Sequence, residues 1–277
     1  MKTRIAPTPS GYLHAGNGAA FVLAWRLARE AGGKVLLRID DLDAERMRPE
    51  YVEDIFASLR WLGVDWDEGP RDPVDLQRRW SQHLRMADHA AMVRQLREGG
   101  HLYACTCSRK EVAARTGTGL YDGHCSGRGL PMDLPGRAWR LRMPRDGHAE
   151  WRTWPDGAVR QFRLHLPDPV VRQRDGRPAY QIASLCDDVR FGISLVVRGE
   201  DLLPSTGIQQ HVAALLGIGS FRQALFLHHP LVLDEQGRKR SKSQGAASLR
   251  ALRLQGGDPA GIHQLARALL ERALAPG

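Results

Sequence analysis

The chain has 277 residues, 42% hydrophobic and 26% charged, which suits one or two packed domains and excludes a disordered chain. No run of about 18 uninterrupted apolar residues occurs, so a membrane-spanning helix is not expected, and Met1 to Pro7 lead into Pro/Gly-rich sequence without an apolar leader, which points away from secretion. Lys and Arg number 40 against 31 Asp and Glu, a net charge of +9 that favours a polyanionic partner; 35 of the 40 are arginine, a bias that a GC-rich genome gives as readily as phosphate recognition.

In chain order, residues 3–6 suit a short strand, which Pro7-Thr8-Pro9-Ser10-Gly11 breaks. From Asn17 to Arg29 apolar residues recur at helical spacing, and Gly32-Gly33 supplies a stop. Residues 34–39 form an apolar run of buried-strand type that ends at Asp40-Asp41. Strand, turn, helix and strand make a βαβ unit, which places ligands at the carboxyl ends of its strands. Amphipathic helices are expected over 50–63 and 78–99, with a turn-rich stretch at 65–70 between them. From 101 to 171 Cys, Gly and Arg concentrate and helical periodicity fades, which predicts an insertion into the α/β core. The core resumes with apolar runs at 179–183 and 193–198, a helix over 205–217 and a strand at 225–227. A Lys/Ser/Gly loop at 236–247 and a short helical tail follow.

Four cysteines stand at 105, 107, 125 and 186, three of them within 21 residues. So few thiols in so long a chain do not make a secreted disulfide framework, and a reducing cytoplasm is the expected compartment. Cys186, in an apolar run, reads as core filler.

Two segments suit phosphate. His14-Ala15-Gly16-Asn17 precedes the first helix, whose start offers unpaired N–H groups; Gly16 permits close approach and His14 adds a donor. Alone, these residues also fit a glycine turn with an N-cap asparagine and an incidental histidine. Lys239-Arg240-Ser241-Lys242-Ser243, between Gly237 and Gly245, suits a cationic loop closing over a triphosphate; alone, it also fits a solvated basic loop.

Taken together, a His-x-Gly element after the first strand and a Lys-x-Ser-Lys-Ser loop late in the core resemble the paired signature of class I aminoacyl-tRNA synthetases. The strings at 4–14, 37–43, 62–70 and 197–203 resemble the catalytic domain of glutamyl-tRNA synthetases, a likeness running from about residue 3 to 245. Only 34 residues follow Ser243, too few for the anticodon-binding region of that family. The spacing Cys105-x-Cys107…Tyr121-x₃-Cys125 resembles the zinc site of the short glutamyl-queuosine tRNA(Asp) synthetase branch. Three thiolates suit Zn²⁺; Tyr121 is assigned as the fourth ligand, with His124 as its competitor.

The resemblance implies an α/β fold, a class I synthetase Rossmann-type parallel sheet with a zinc-bearing insertion. Its parts would be 1–100 and 172–235 for the catalytic halves, 101–171 for the insertion, and 236–277 for the loop and tail. It implies activation of L-glutamate by ATP with Mg²⁺, one structural Zn²⁺, and transfer of glutamate to queuosine at the wobble position of tRNA(Asp) by a cytoplasmic monomer. Arg4, the stretch Ile5, Ala6, Pro7 and Thr8, and Asp40, Tyr180 and Arg198 would bind glutamate. His14, Gly16, Asn17, Lys239, Ser241 and Lys242 would bind ATP, with His14 and Lys242 catalytic. Asp40 stands where the family has Glu, Asn17 where it has a second His, and Arg240 where it has an apolar residue. The competing expectations are a truncated synthetase charging the 3′ end and a non-catalytic zinc-bearing RNA-binding module.

Overall fold

A computed structural model describes residues 1–43, 45–164, 166–232 and 248–275. Its first unit is the expected βαβ: β1 (Lys2–Ile5), α1 (Ala15–Glu30) and β2 (Lys34–Leu37). The helix stops where Gly32 takes a left-handed φ of 59°, open to glycine at little cost. After α2 (Pro49–Trp61), whose first position is proline, comes α3 (Pro73–Asp75). A π turn over Leu76–Trp80 and a 3₁₀ turn over Gln82–Arg85 then lead into α4 (Met86–Glu98). The single helix expected over 78–99 is therefore broken at Ser81, whose ψ of 139° is not helical.

The next elements are β3 (Leu102–Cys105), α5 (Arg109–Thr116), β4 (Ala138–Leu141), β5 (His148–Thr153), β6 (Val159–Arg163) and β7 (Val170–Arg172). Then follow α6 (Tyr180–Arg190), β8 (Leu195–Gly199), α7 (Leu203–Leu215), α8 (Gly219–Arg222), β9 (Leu225–His229), α9 (Leu249–Leu254) and α10 (Ala260–Leu274). The main sheet has the order β2-β1-β8-β9-β5-β6, parallel throughout except for the antiparallel edge strand β6. A second sheet, β3-β4-β7, is antiparallel.

One expectation is corrected here. Residues 101–171 are not one separate insertion, because β5 pairs with β9 and carries β6 into the main sheet; only β3, β4 and β7 stand apart. Trp151 fixes this placement, fully buried and stacked on Phe162 at 3.8 Å. The Arg-rich texture of β6 that read as insertion is instead that of an exposed edge strand, where charge discourages further pairing. The apolar run at 179–183 forms the N-cap and first turn of α6. Its buried Ile182, Leu185 and Asp188 recur at helical spacing, a period that five residues are too few to reveal.

Period-two alternation along the central strands divides the core in two. Val35, Leu37, Leu195, Val197 and Leu227 pack with α1, α2 and α10 on one face of the main sheet. Leu36, Val196 and Phe226 point the other way, into a cluster with α4, α6 and α7. With both faces covered, ligands are left the carboxyl edge, at the point where the connection from β1 runs to β2 on one side while β8 lies on the other. No described helix is long and apolar enough to cross a membrane.

Candidate active site

A cavity of about 480 Å³ opens at that edge. Of the expected substrate residues, Arg4, Ala6, Pro7, Thr8, His14, Gly16, Asn17, Asp40, Tyr180 and Arg198 all line it. Ile5 does not. Its side chain is fully buried in the core, and its carbonyl accepts from Arg38 N at 2.9 Å. The Ala6–Thr8 turn is tied down in the same way, Pro7 O accepting from Asp40 N at 2.9 Å.

The helix start differs from the expected one. The N-cap is His14 rather than Asn17: His14 Nδ1 accepts from Asn17 N at 3.3 Å, and Asn17 Oδ1 accepts from His14 N at 3.1 Å. This reciprocal box uses the very position where the family has a second histidine. An accepting Nδ1 assigns the proton of a neutral ring to Nε2. A Cβ on Gly16 would lie 3.1 Å from His14 Cε1 and 3.6 Å from Val232, so the missing side chain keeps a gap between the ring and the far wall. Ser248 bridges to His14, and Leu249 N donates to Leu13 O at 2.8 Å, so the chain re-enters beside the helix start. Lys239, Arg240, Ser241, Lys242 and Ser243 lie outside the described residues.

Three buried arginines gather with Asp40 and Asp188. Arg4 donates from Nε to Asp188 Oδ1 at 3.2 Å and from Nη1 to Val197 O at 3.2 Å. Arg38 grips Asp40 with two bonds, 2.7 and 3.1 Å, and reaches Asp188 Oδ1 at 2.6 Å. Burial raises the Asp40 carboxyl against the opposing pull of Arg38. Arg198 is held otherwise. It meets Gln209 Oε1 at 3.0 Å from both Nη atoms and Thr206 Oγ1 at 2.6 Å, and forms no ion pair with Glu200, Asp201 or any other described carboxylate. Burial lowers its guanidinium below the ordinary value; Tyr180 opposes that fall and Arg4 adds to it. His228 hydrogen-bonds Thr206 Oγ1 at 2.7 Å, and burial, then Arg198, push it down to about 3. Tyr180 is the first residue of α6 and 42% exposed.

Sequence reasoning missed Arg38, Asp188, Thr206 and Gln209. A lone arginine inside the apolar run 35–39 was the one available signal, since a charge there must find a partner.

The sulfurs of Cys105, Cys107 and Cys125 lie within 4.8 Å of one another. Tyr121 Oη accepts from Cys125 N at 2.8 Å and sits 3.6 Å from Cys105 Sγ. Cys107 and Cys125 sulfurs are 3.6 Å apart, close to the roughly 3.7 Å that tetrahedral zinc with bonds of about 2.3 Å requires. The donor set therefore fits a metal ion. His124 is exposed, its ring nitrogen 3.4 Å from Arg128.

The model of the class I tRNA synthetase (E and Q) catalytic domain matches residues 1–124 and 135–267. The chain belongs to that family. This synthetase chain is 40% identical to a glutamyl-Q tRNA(Asp) synthetase of Nitratidesulfovibrio vulgaris, covering 95% of the chain and 84% of that protein. It is 41% identical to another from Parasynechococcus marenigrum, covering 96% and 82%. A glutamate–tRNA ligase of Acidithiobacillus ferrooxidans is 35% identical, and the chain spans 54% of its length. Among solved structures, the glutamate–tRNA synthetase of Elizabethkingia anophelis superposes with a TM-score of 0.72 at 25% identity, over 92% of this chain and 54% of that one. The family consists of aminoacyl ligases that act on ATP, an amino acid and tRNA, so the expectation of a non-catalytic module falls away.

Proposed function

We propose that the chain activates L-glutamate with ATP and transfers the glutamyl group to queuosine at the wobble position of tRNA(Asp). The observation that carries the choice of amino acid is the state of Arg198. Arg4 pairs with Asp188 and Arg38 with Asp40 and Asp188, whereas Arg198 is hydrogen-bonded by the neutral side chains of Gln209 and Thr206. A buried cation without a direct ion pair is costly, and a substrate carboxylate relieves that cost where a neutral amide does not.

In the first step a carboxylate oxygen of glutamate attacks the α-phosphorus. A P–O bond forms, the bond to the β-phosphate oxygen breaks, and pyrophosphate leaves. The nucleophile is already ionised at neutral pH, so no general base is needed. Arg198 and Arg4 hold carboxylates, Asp40 takes the α-ammonium, and Tyr180 flanks the side chain. His14 and the amides at the start of α1 meet the phosphates, with Gly16 and Asn17 shaping their seat. Lys239, Ser241 and Lys242 supply further donors and charge as pyrophosphate departs. ATP brings Mg²⁺ with it.

In the second step a hydroxyl of the cyclopentene-diol attacks the glutamyl carbonyl. The ester bond forms, AMP leaves, and the hydroxyl proton passes to the phosphate or to water. Cys105, Cys107, Tyr121 and Cys125 would hold one Zn²⁺, which ties β3 to the segment 121–125. Queuosine as the acceptor is supported by the greater likeness to glutamyl-Q synthetases than to glutamate–tRNA ligases. A cytoplasmic monomer suits such a reaction.

The deciding experiment supplies ATP, labelled glutamate and tRNA(Asp) that lacks its terminal adenosine, with or without queuosine. Label retained only on queuosine-bearing tRNA is expected. Label that requires the terminal adenosine and ignores queuosine overturns the choice of acceptor in favour of 3′-end charging.

A further inference from the structure

Asp188 and Arg38 are almost wholly buried and do not line the cavity, yet they bond directly to two side chains that do. One oxygen, Asp188 Oδ1, accepts from Arg4 at 3.2 Å and from Arg38 at 2.6 Å, while Oδ2 has no hydrogen-bond partner. Arg38 then passes two bonds on to Asp40 and is braced by Ser184, whose Oγ accepts at 3.1 Å and whose carbonyl accepts at 3.3 Å. The order Arg4–Asp188–Arg38–Asp40 alternates in sign and sums to zero. It therefore adds no net charge to the cavity, presents a positive end at Arg4 and a negative end at Asp40, and fixes the geometry of both.

Stability alone accounts poorly for four buried charges in a row, because apolar residues of similar volume usually serve a core as well. A shared single oxygen has another consequence. A shift of Arg4 is felt at Arg38, and through its two-pronged grip at Asp40.

We propose that Asp188 and Arg38 are positioning residues that set Arg4 and Asp40 relative to each other, so that the carboxylate and ammonium ends of the amino acid are gripped as a unit. This rests on the reading that Arg4 and Asp40 meet glutamate. Asp188→Asn keeps the shape and removes the charge that two guanidinium groups share. Ser184→Ala removes only one neutral brace.

The test is glutamate-dependent ATP–pyrophosphate exchange, run with tRNA present, together with thermal melting of each variant. For Asp188→Asn, KM for glutamate should rise at least about tenfold, the loss of one charge-assisted bond, while KM for ATP stays within about twofold. Ser184→Ala should give a smaller rise in the same constant alone. It also serves where Asp188→Asn fails to fold. Equal rises in both constants, or a lower melting temperature with KM for glutamate unchanged, overturn the relay and leave the proposed activity standing. Wild-type protein without glutamate-dependent exchange removes both.

Discussion

At the carboxyl edge of the main sheet, Arg4, Arg38 and Arg198 are fixed by neighbours rooted in two large apolar clusters. Around Cys105 the support is thin. The buried apolar residues of that lobe are Tyr103, Cys105, Val112, Tyr121 and Cys125, and α5 buries Val112 alone. Much of its remaining order comes from arginine laid on aromatic rings, as with Arg140 on Tyr121 at 3.5 Å, and from the capping box of Ser108 and Glu111. A region with so little core needs a staple, and a metal ion bound by three thiols and a phenol is one. The carboxyl edge is thus organised by packing, whereas the lobe has little core of its own and would draw order from the proposed metal.

The largest effect that would sharpen this contrast is expected at Arg198. Arg198→Leu should lower glutamate-dependent exchange at least about 100-fold, as for loss of a site's principal charge-bearing donor, yet shift the melting temperature by less than about 4 °C. A large fall in melting temperature with exchange preserved would make Arg198 a strut of the fold. The lobe should respond the other way. Cys105→Ser, or removal of the metal by a chelator, should open the segment around α5 to proteolysis. Transfer to tRNA should fall about tenfold while exchange stays within about twofold. Equal loss in both steps would erase the division between edge and lobe.

The last effect concerns pH. Folding depresses His228 from its ordinary 6.5 to about 3, through burial and the nearby Arg198. Between those values the unfolded chain binds a proton that the folded chain refuses, so stability present above 6.5 is lost as the pH falls toward 3. His228→Gln should flatten that part of the stability curve measured by denaturant titration. An unchanged slope would mean that the ring is not held neutral.

How much of this was legible depends on the range over which each residue finds its partners. The short apolar run at 34–39 gave β2, since a strand buried on both faces is marked by its own local sequence. His14 and Gly16 were legible for the same reason, their work being done by one turn of backbone. The apolar run at 179–183 did not reveal α6, because five residues fit a strand or a helix equally well. Arg38 and Asp188 were silent as a pair, lying 150 positions apart and meeting only after α6 packs beside the sheet. The return of β5 and β6 to the main sheet was hidden because an edge strand rich in arginine has the composition of a surface insertion.

The box that closes the start of α1 bears on how the phosphates are met. With its Nδ1 accepting from the Asn17 amide, the proposed contact of the His14 ring with a phosphate would be made from Nε2. The direction of that contact would be set by the backbone of the first turn of α1, since Asn17 closes the other half of the box that holds the ring.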